Sequence, residues 1–180
     1  MFDARTRRGG KMTISQPTEA ALTFREGMSR LGAAVTLLTS DGPAGRHGMT
    51  ASAVVSVTDS PPTLIVCVNR GIRCHDLFVE NGVLAVNVLG HRHQDLSGRF
   101  ASKDVGDRFQ GAEWITLKTG APILADAEVA FDCRIVDVRS VGSHSVLTCE
   151  VDEVRLHSEQ PESLIWFGRH FHQLYAEPAV

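Results

Sequence analysis

The sequence has no unbroken apolar run near the roughly 20 residues that span a bilayer. Its opening, MFDARTRRGGKM, carries arginine without the apolar stretch of a secretory signal. Membrane insertion and export are therefore not expected, and a cytoplasmic protein is. Lys and Arg number 18 against 21 Asp and Glu, a formal net charge of -3. Without clustered cations there is no electrostatic basis for a nucleic-acid partner. Cysteine is sparse: Cys67, Cys74, Cys133 and Cys149 form no CxxC pair and have no His at zinc spacing. Reduced core thiols are expected, not a disulfide framework or a metal site. No GxGxxG follows a strand-like run, which excludes a Rossmann phosphate loop. No Ser/His/Asp or Cys/His order and no isolated carboxylate pair stands out, so hydrolytic chemistry gains no support.

What is present is a chain of 180 residues, 43% hydrophobic, enough for one sizeable core but marginal for two. Residues 1–16 read as a disordered basic tail and 17–180 as one domain. Ala21, Leu22, Phe24, Met28 and Leu31 recur near a 3.6 period, which predicts an amphipathic helix from Pro17 to Leu31 with Thr18 as N-cap and Gly32 as stop. Strand-like runs follow over 33–40, 49–58, 63–69 and 83–90, with DGPAGRHG as a turn and Pro61-Pro62 as a break. The run TLIVCVN, 63–69, is apolar enough to suggest a strand buried on both faces, in a core hairpin with 49–58. Short helices are expected over 73–80 and over 91–100, the second ending near Gly98. Residues 101–122 read as irregular. Two long antiparallel strands over 127–142 and 143–157 meet at Gly142-Ser143, and 164–174 closes with a last short strand or two. Many strands, few short helices and hairpin connections predict a mainly β protein, an antiparallel barrel whose closure removes exposed edges.

Small and hydroxyl residues fill Gly48-Met49-Thr50-Ala51-Ser52-Ala53, where a strand ordinarily favours bulk. That composition admits a flat ring against the main chain, with Thr50 and Ser52 as hydrogen-bond partners; a tight barrel bend accounts for it equally. In Val68-Asn69-Arg70, Asn69 ends an apolar strand and can face a polar ligand or serve a turn. Asn87, inside VLAVNVL, must find partners for a buried amide. Ser97, Arg99 and Phe100 suit a phosphate beside a ring, or an ordinary helix end carrying a favourable cation. His144 follows Gly142-Ser143 in a turn, and Gly168-Arg169-His170-Phe171-His172 gathers two His and an Arg near the C-terminus.

As an ordered set, FREGMSRLGAAVTLLTS, GMTASAVVSVTDSPPTLIVCVNR, VLAVNVL, LSGRFA, DRF, FDCRI, VGSHSV and FGRHFHQL resemble the flavin reductase family, the small components of two-component flavin monooxygenases. The match runs from Phe24 to Leu174. It is closest in character to reductases of pyrimidine degradation and of 4-hydroxyphenylacetate 3-monooxygenases. The resemblance implies a split β-barrel homodimer of the FMN-binding type, with FMN or FAD in a groove at the dimer interface and NADH or NADPH as hydride donor. It implies delivery of reduced flavin to a monooxygenase partner. It places Thr50, Ala51 and Ser52 against the isoalloxazine, Val68 and Asn69 beside the flavin tail, and Ser97, Arg99 and Phe100 near phosphate or ring. Asn87, Phe167 and Arg169 complete the expected cofactor-binding set. His144, in a Gly-x-His turn where many members have Asp in the middle and this chain has Ser143, is expected to hold the nicotinamide. Ser52 and His144 are the residues expected nearest the chemistry, since hydride transfer from nicotinamide C4 to flavin N5 needs orientation more than an acid or base. Two other functions share the barrel: a flavoprotein with bound flavin that reduces another acceptor such as a corrinoid, and a non-catalytic flavin binder.

Overall fold

The computed structural model describes residues 16–103, 106–157 and 159–176. The expected basic tail lies outside these residues except for Gln16. Helix α1, Glu19–Ser29, starts where expected, with Thr18 Oγ1 accepting from the Ala21 N–H at 3.2 Å. Its apolar stripe buries nothing: Phe24 is 67% exposed, and Leu22, Met28 and Leu31 are exposed beside it.

After α1 come β1 (Ala33–Ala34), β2 (Thr36–Ser40), β3 (His47–Ala51), β4 (Val54–Asp59) and β5 (Pro62–Asn69). Helix α2, Arg73–Asn81, leads into β6 (Val83–Val88), and a 3-10 turn at His91–His93 leads into α3, Gln94–Ala101. The rest is β7 (Trp114–Thr116), β8 (Pro122–Leu124), β9 (Val129–Val141), β10 (His144–Leu156), β11 (Glu162–Phe167) and β12 (His170–Tyr175). Helix α3 runs through Gly98 to Ala101, past the expected stop, and the stretch expected to be irregular contains β7.

Seven strands form the main sheet in the order β3-β2-β6-β9-β10-β5-β4, every pairing antiparallel. The hairpin β9–β10, with 13 residues in each strand, is its long axis; Gly142 takes φ 56° in the turn, a conformation glycine adopts without strain. Central β6 buries Leu84, Ala85, Val86 and Asn87 in succession, covered on both faces. Strand β5 does not match the expectation of two buried faces. Leu64, Val66 and Val68 point inward while Thr63, Ile65 and Cys67 stay half-buried, because neighbouring β4 is an edge strand exposing Val55 and Val57.

Closure of the barrel by hydrogen bonds is not observed among the described residues: β3 and β4 end the sheet as unpaired edges. They are nevertheless consecutive in the chain, joined by Ser52 and Ala53 alone, so the sheet must curl until its two edges come within that reach. Leu38, Val66, Phe78, Val86 and Leu147 fill the inside of the curl, each burial contributing roughly 1.5–3 kcal/mol. A second cluster beneath α3 stacks Phe100, Phe109 and Trp114 with ring centroids 4.9–5.7 Å apart. All four cysteines are free. Burial pushes the Cys74 thiol up to about 11 and the Cys149 thiol up to about 12, so these are inert core groups. No described helix is long and apolar enough to cross a membrane, and no metal-binding cluster of His, Cys, Asp or Glu occurs among the described residues.

Candidate functional site

The open corner of the sheet sets the site. At Ser52-Ala53 the chain leaves one edge for the other, so its backbone lacks a continuous ladder partner. Two bonds fix the corner: Thr36 Oγ1 donates to the Ala51 carbonyl at 2.9 Å, and the Cys67 N–H donates to the Ala53 carbonyl at 3.1 Å. Ser52 is exposed, and its small neighbours leave the main chain open to a flat ligand.

Strand register brings the other candidates to the same end. Val54 pairs with Val66, Ser145 with Val68, and His144 with Asn69. The Ser52 corner and His144 are therefore separated by one intervening strand, about 10 Å across the sheet. Alternation puts inward Val68 and Ser145 on one face and Asn69 and His144 on the other, the face shared by Cys67. His144 is exposed, with Nδ1 2.9 Å from Ser143 Oγ. Asn69 is exposed too, but its Oδ1 accepts from the Gly71 N–H at 2.8 Å, which leaves mainly its amide NH2 for a ligand.

On the other flank, Thr50 Oγ1 donates to the Ser97 carbonyl at 2.6 Å and so ties β3 to α3. Two cations outside the expected set stand nearby. Arg108 donates to the Gly48 carbonyl at 2.8 Å, and Arg73 opens α2. His47, at the start of β3, is held below its usual pKa by burial first, then by the Arg108 and Arg73 charges. The conjunction is invisible in sequence because the three residues come from separate segments; the DRF triplet enters only as part of the family pattern.

Several expected cofactor ligands make their contacts within the chain. Asn87 is fully buried, its Nδ2 donating to the Leu37 carbonyl (3.2 Å) and Thr39 Oγ1 (3.0 Å) and its Oδ1 accepting from the Leu124 N–H (2.8 Å). It is a satisfied core amide with nothing left for a ligand. Val68 and Phe100 are core residues, and Ser97 Oγ, also buried, donates to the Gln94 carbonyl at 2.7 Å. Arg99 braces the following loop through the Gln110 carbonyl. Phe167 and Arg169 lie at the β11–β12 hairpin. Arg169 has φ 64°, unusual for a non-glycine residue, and forms an ion pair with Glu26 of α1 at 2.8 Å.

Between α1, the β11–β12 hairpin and strands β4 and β5 opens a cleft of about 1230 Å³ that reaches Thr36 of β2, Val86 of β6 and Phe131 of β9. Its walls are mostly apolar, including Phe24, Met28, Val54, Ile65 and Trp166, while Ser52 and Arg169 also line it. The cleft joins the open corner to the unburied stripe of α1.

Residues 28–175 match the model of the "Flavin reductase like domain". The chain is 50% identical over 157 residues to an FMN reductase (NADH) RutF of Pseudomonas syringae pv. syringae, covering 87% of this chain and 88% of that one. Its fold is similar to that of BorF, the flavin reductase component of a bacterial two-component tryptophan halogenase, with TM-score 0.79, 26% identity and coverage of 87% and 99%. It is also similar to the styrene monooxygenase flavin reductase of Pseudomonas putida S12, with TM-score 0.75, 25% identity and coverage of 88% and 99%. A family match across the whole sheet, both flanks of the open corner and the Gly142–His144 turn leaves one reading of this chain's descent: it belongs to the flavin reductase family.

Proposed function

We propose that this chain is an NADH-dependent flavin reductase that reduces FMN and releases it to a flavin-dependent monooxygenase. The observation that carries the proposal is the convergence of the Ser52 corner, the Asn69 strand end and the Gly142–His144 turn at one end of the sheet. FMN and NADH follow the relatives' names; FAD and NADPH are the alternatives that the assay ranks.

Flavin and nicotinamide supply the hydride chemistry themselves, so the protein's task is orientation. The corner fits a planar ring system: Thr50 is held by Ser97, Ala51 presents little bulk, and exposed Ser52 offers a hydroxyl to the ring edge. Arg73 and Arg108 are suited to the phosphate of the flavin tail. His144, on the outward face it shares with Asn69 and Cys67, orients the nicotinamide. No acid or base is required of the chain.

The same reading makes the protein a homodimer. Phe24, Met28, Leu31 and Val55 line a mostly apolar cleft and stand exposed, and Val57 and Leu174 are exposed as well, more apolar surface than a lone chain ordinarily leaves in water. A second copy on this face would cover α1 and the edge strand β4 and wall the flavin groove. Free thiols agree with a reducing cytoplasm.

The deciding experiment is loss of NADH or NADPH absorbance under air with FMN, FAD or no added flavin, beside light scattering for mass. Fast NADH oxidation that requires added FMN, from a particle of twice the chain mass, is expected. Tight flavin binding without oxidation of either nucleotide would leave a flavin-binding protein. Oxidation that needs no added flavin would favour a permanently bound cofactor and a different acceptor.

A further inference from the structure

Behind the Gly142–His144 turn, on the inner face of the sheet, runs a chain of three side chains. Ser145, 1% exposed, has its Oγ 2.9 Å from His75 Nε2, and His75 Nδ1 lies 2.7 Å from Asp76 Oδ1. His75 is buried at the start of α2, whereas the Asp76 carboxylate is in solvent. The carboxylate accepts from Nδ1–H, which leaves Nε2 to accept from the Ser145 hydroxyl.

Asp-His-Ser in this order is the arrangement that activates a serine nucleophile. Here Ser145 Oγ faces the interior and no substrate can reach it, so the chain is mechanical. It fastens β10 to α2 one residue beyond His144. From the neighbouring loop, the Arg70 N–H donates to the Ser143 carbonyl at 2.9 Å and the Arg70 guanidinium to the Gly142 carbonyl. The turn is thus held on both sides of His144, whose own ring is exposed and, among the described residues, hydrogen-bonded to Ser143 alone. Because alternate residues of a strand face opposite ways, fixing Ser145 inward fixes the direction of His144 outward.

We propose that His75 and Ser145 are positioning residues for His144, holding its imidazole outward, on the face it shares with Asn69 and Cys67, for the nicotinamide. The proposal rests on the reading of His144 given above. It assigns a task in the reaction to two buried residues that touch neither flavin nor nucleotide.

The test compares NADH oxidation in the presence of FMN for the intact chain, Ser145→Ala, His75→Phe, His144→Ala and the Ser145→Ala/His144→Ala pair. Backbone amide exchange is followed over 142–145. Ser145→Ala removes a single oxygen and carries the test if His75→Phe does not fold. Loss of one buried hydrogen bond is expected to raise KM for NADH about 5-fold. Flavin affinity and kcat should hold, and exchange at Ser143 and His144 should quicken. In the pair, Ser145→Ala should add nothing to His144→Ala, since both act through one imidazole. Quickened exchange with unchanged KM, or fully additive KM effects, would overturn the positioning role and leave the His144 reading standing. If His144→Ala itself left KM for NADH unchanged, the nicotinamide reading would fall and take the positioning role with it.

Discussion

Asn87 separates a core amide from a cofactor ligand, and Asn87→Leu measures the difference. Leucine keeps the volume and removes every polar atom. The Leu124 N–H would be orphaned in the interior at a cost of about 2 kcal/mol, and the bonds to Leu37 and Thr39 would forfeit about 1 kcal/mol each. Burying the extra apolar surface returns about 1 kcal/mol, for a net loss of about 3 kcal/mol. With a urea slope of about 2 kcal/mol per molar, the unfolding midpoint should fall by about 1.5 M. The measurement is a urea titration at fixed protein concentration, so that association does not enter the comparison. A flavin-fluorescence titration of the folded variant at low temperature accompanies it. The expected result is a large midpoint shift with unchanged FMN affinity. A tenfold loss of affinity at unchanged stability would refute the core assignment and return Asn87 to the cofactor.

Three further outcomes follow from local geometry. A Cβ at Gly48 would lie 2.6 Å from the Phe100 ring and 2.8 Å from the Leu38 carbonyl. Gly48→Ala should therefore cost about 1–3 kcal/mol in thermal or urea unfolding and broaden the Trp114 environment seen by fluorescence. Burial would raise the Asp126 carboxyl, but His93 and Arg92 beside it outweigh that and hold it below the usual range. Its contribution is present above the unfolded carboxylate pKa and is lost as pH falls through the lower folded value, so Asp126→Asn should flatten the acid limb of the stability curve. For His47 the folded pKa lies below the ordinary histidine value of about 6.5, chiefly through burial. The unfolded state then binds the extra proton first, stability declines as pH drops through that value, and His47→Gln should remove this decline.

Much of the architecture is legible in the chain because local signals agree with tertiary ones. Thr18 caps a periodic helix, Gly142-Ser143 turns the long hairpin, and the β6 run is apolar on both faces. The misses have physical causes. The α1 stripe has the period of a core helix yet faces the open cleft, and no pattern within the helix says which surface will cover it. TLIVCVN reads as doubly buried because apolar content does not reveal that its neighbour β4 is an edge. Strands β7 and β8 have three residues each, too short for alternation to register. At the site, Ser52 and His144 could be singled out from small-residue composition and from the family pattern. The placement of Arg73 and Arg108 around His47 depends on three segments meeting, which local sequence does not encode. Asn87 shows the converse: a polar residue in an apolar run signals a satisfied amide, and sequence cannot tell whether protein or ligand satisfies it.

The arrangement has an internal logic. A closed ladder would satisfy every backbone group at the Ser52 corner and leave nothing for a ligand, whereas a long open edge invites indiscriminate strand pairing. This sheet leaves its two edges joined by Ser52 and Ala53 alone, and it places around that gap a turn anchored by Arg70 and Ser145. The buried part, with β6 two strands in from the β3 edge and Asn87 cross-linking β2, β6 and β8, belongs to the same sheet. Substitutions at the buried centre of the sheet should act on unfolding, while those at the corner and the turn should act on flavin and nucleotide affinity with little change in stability.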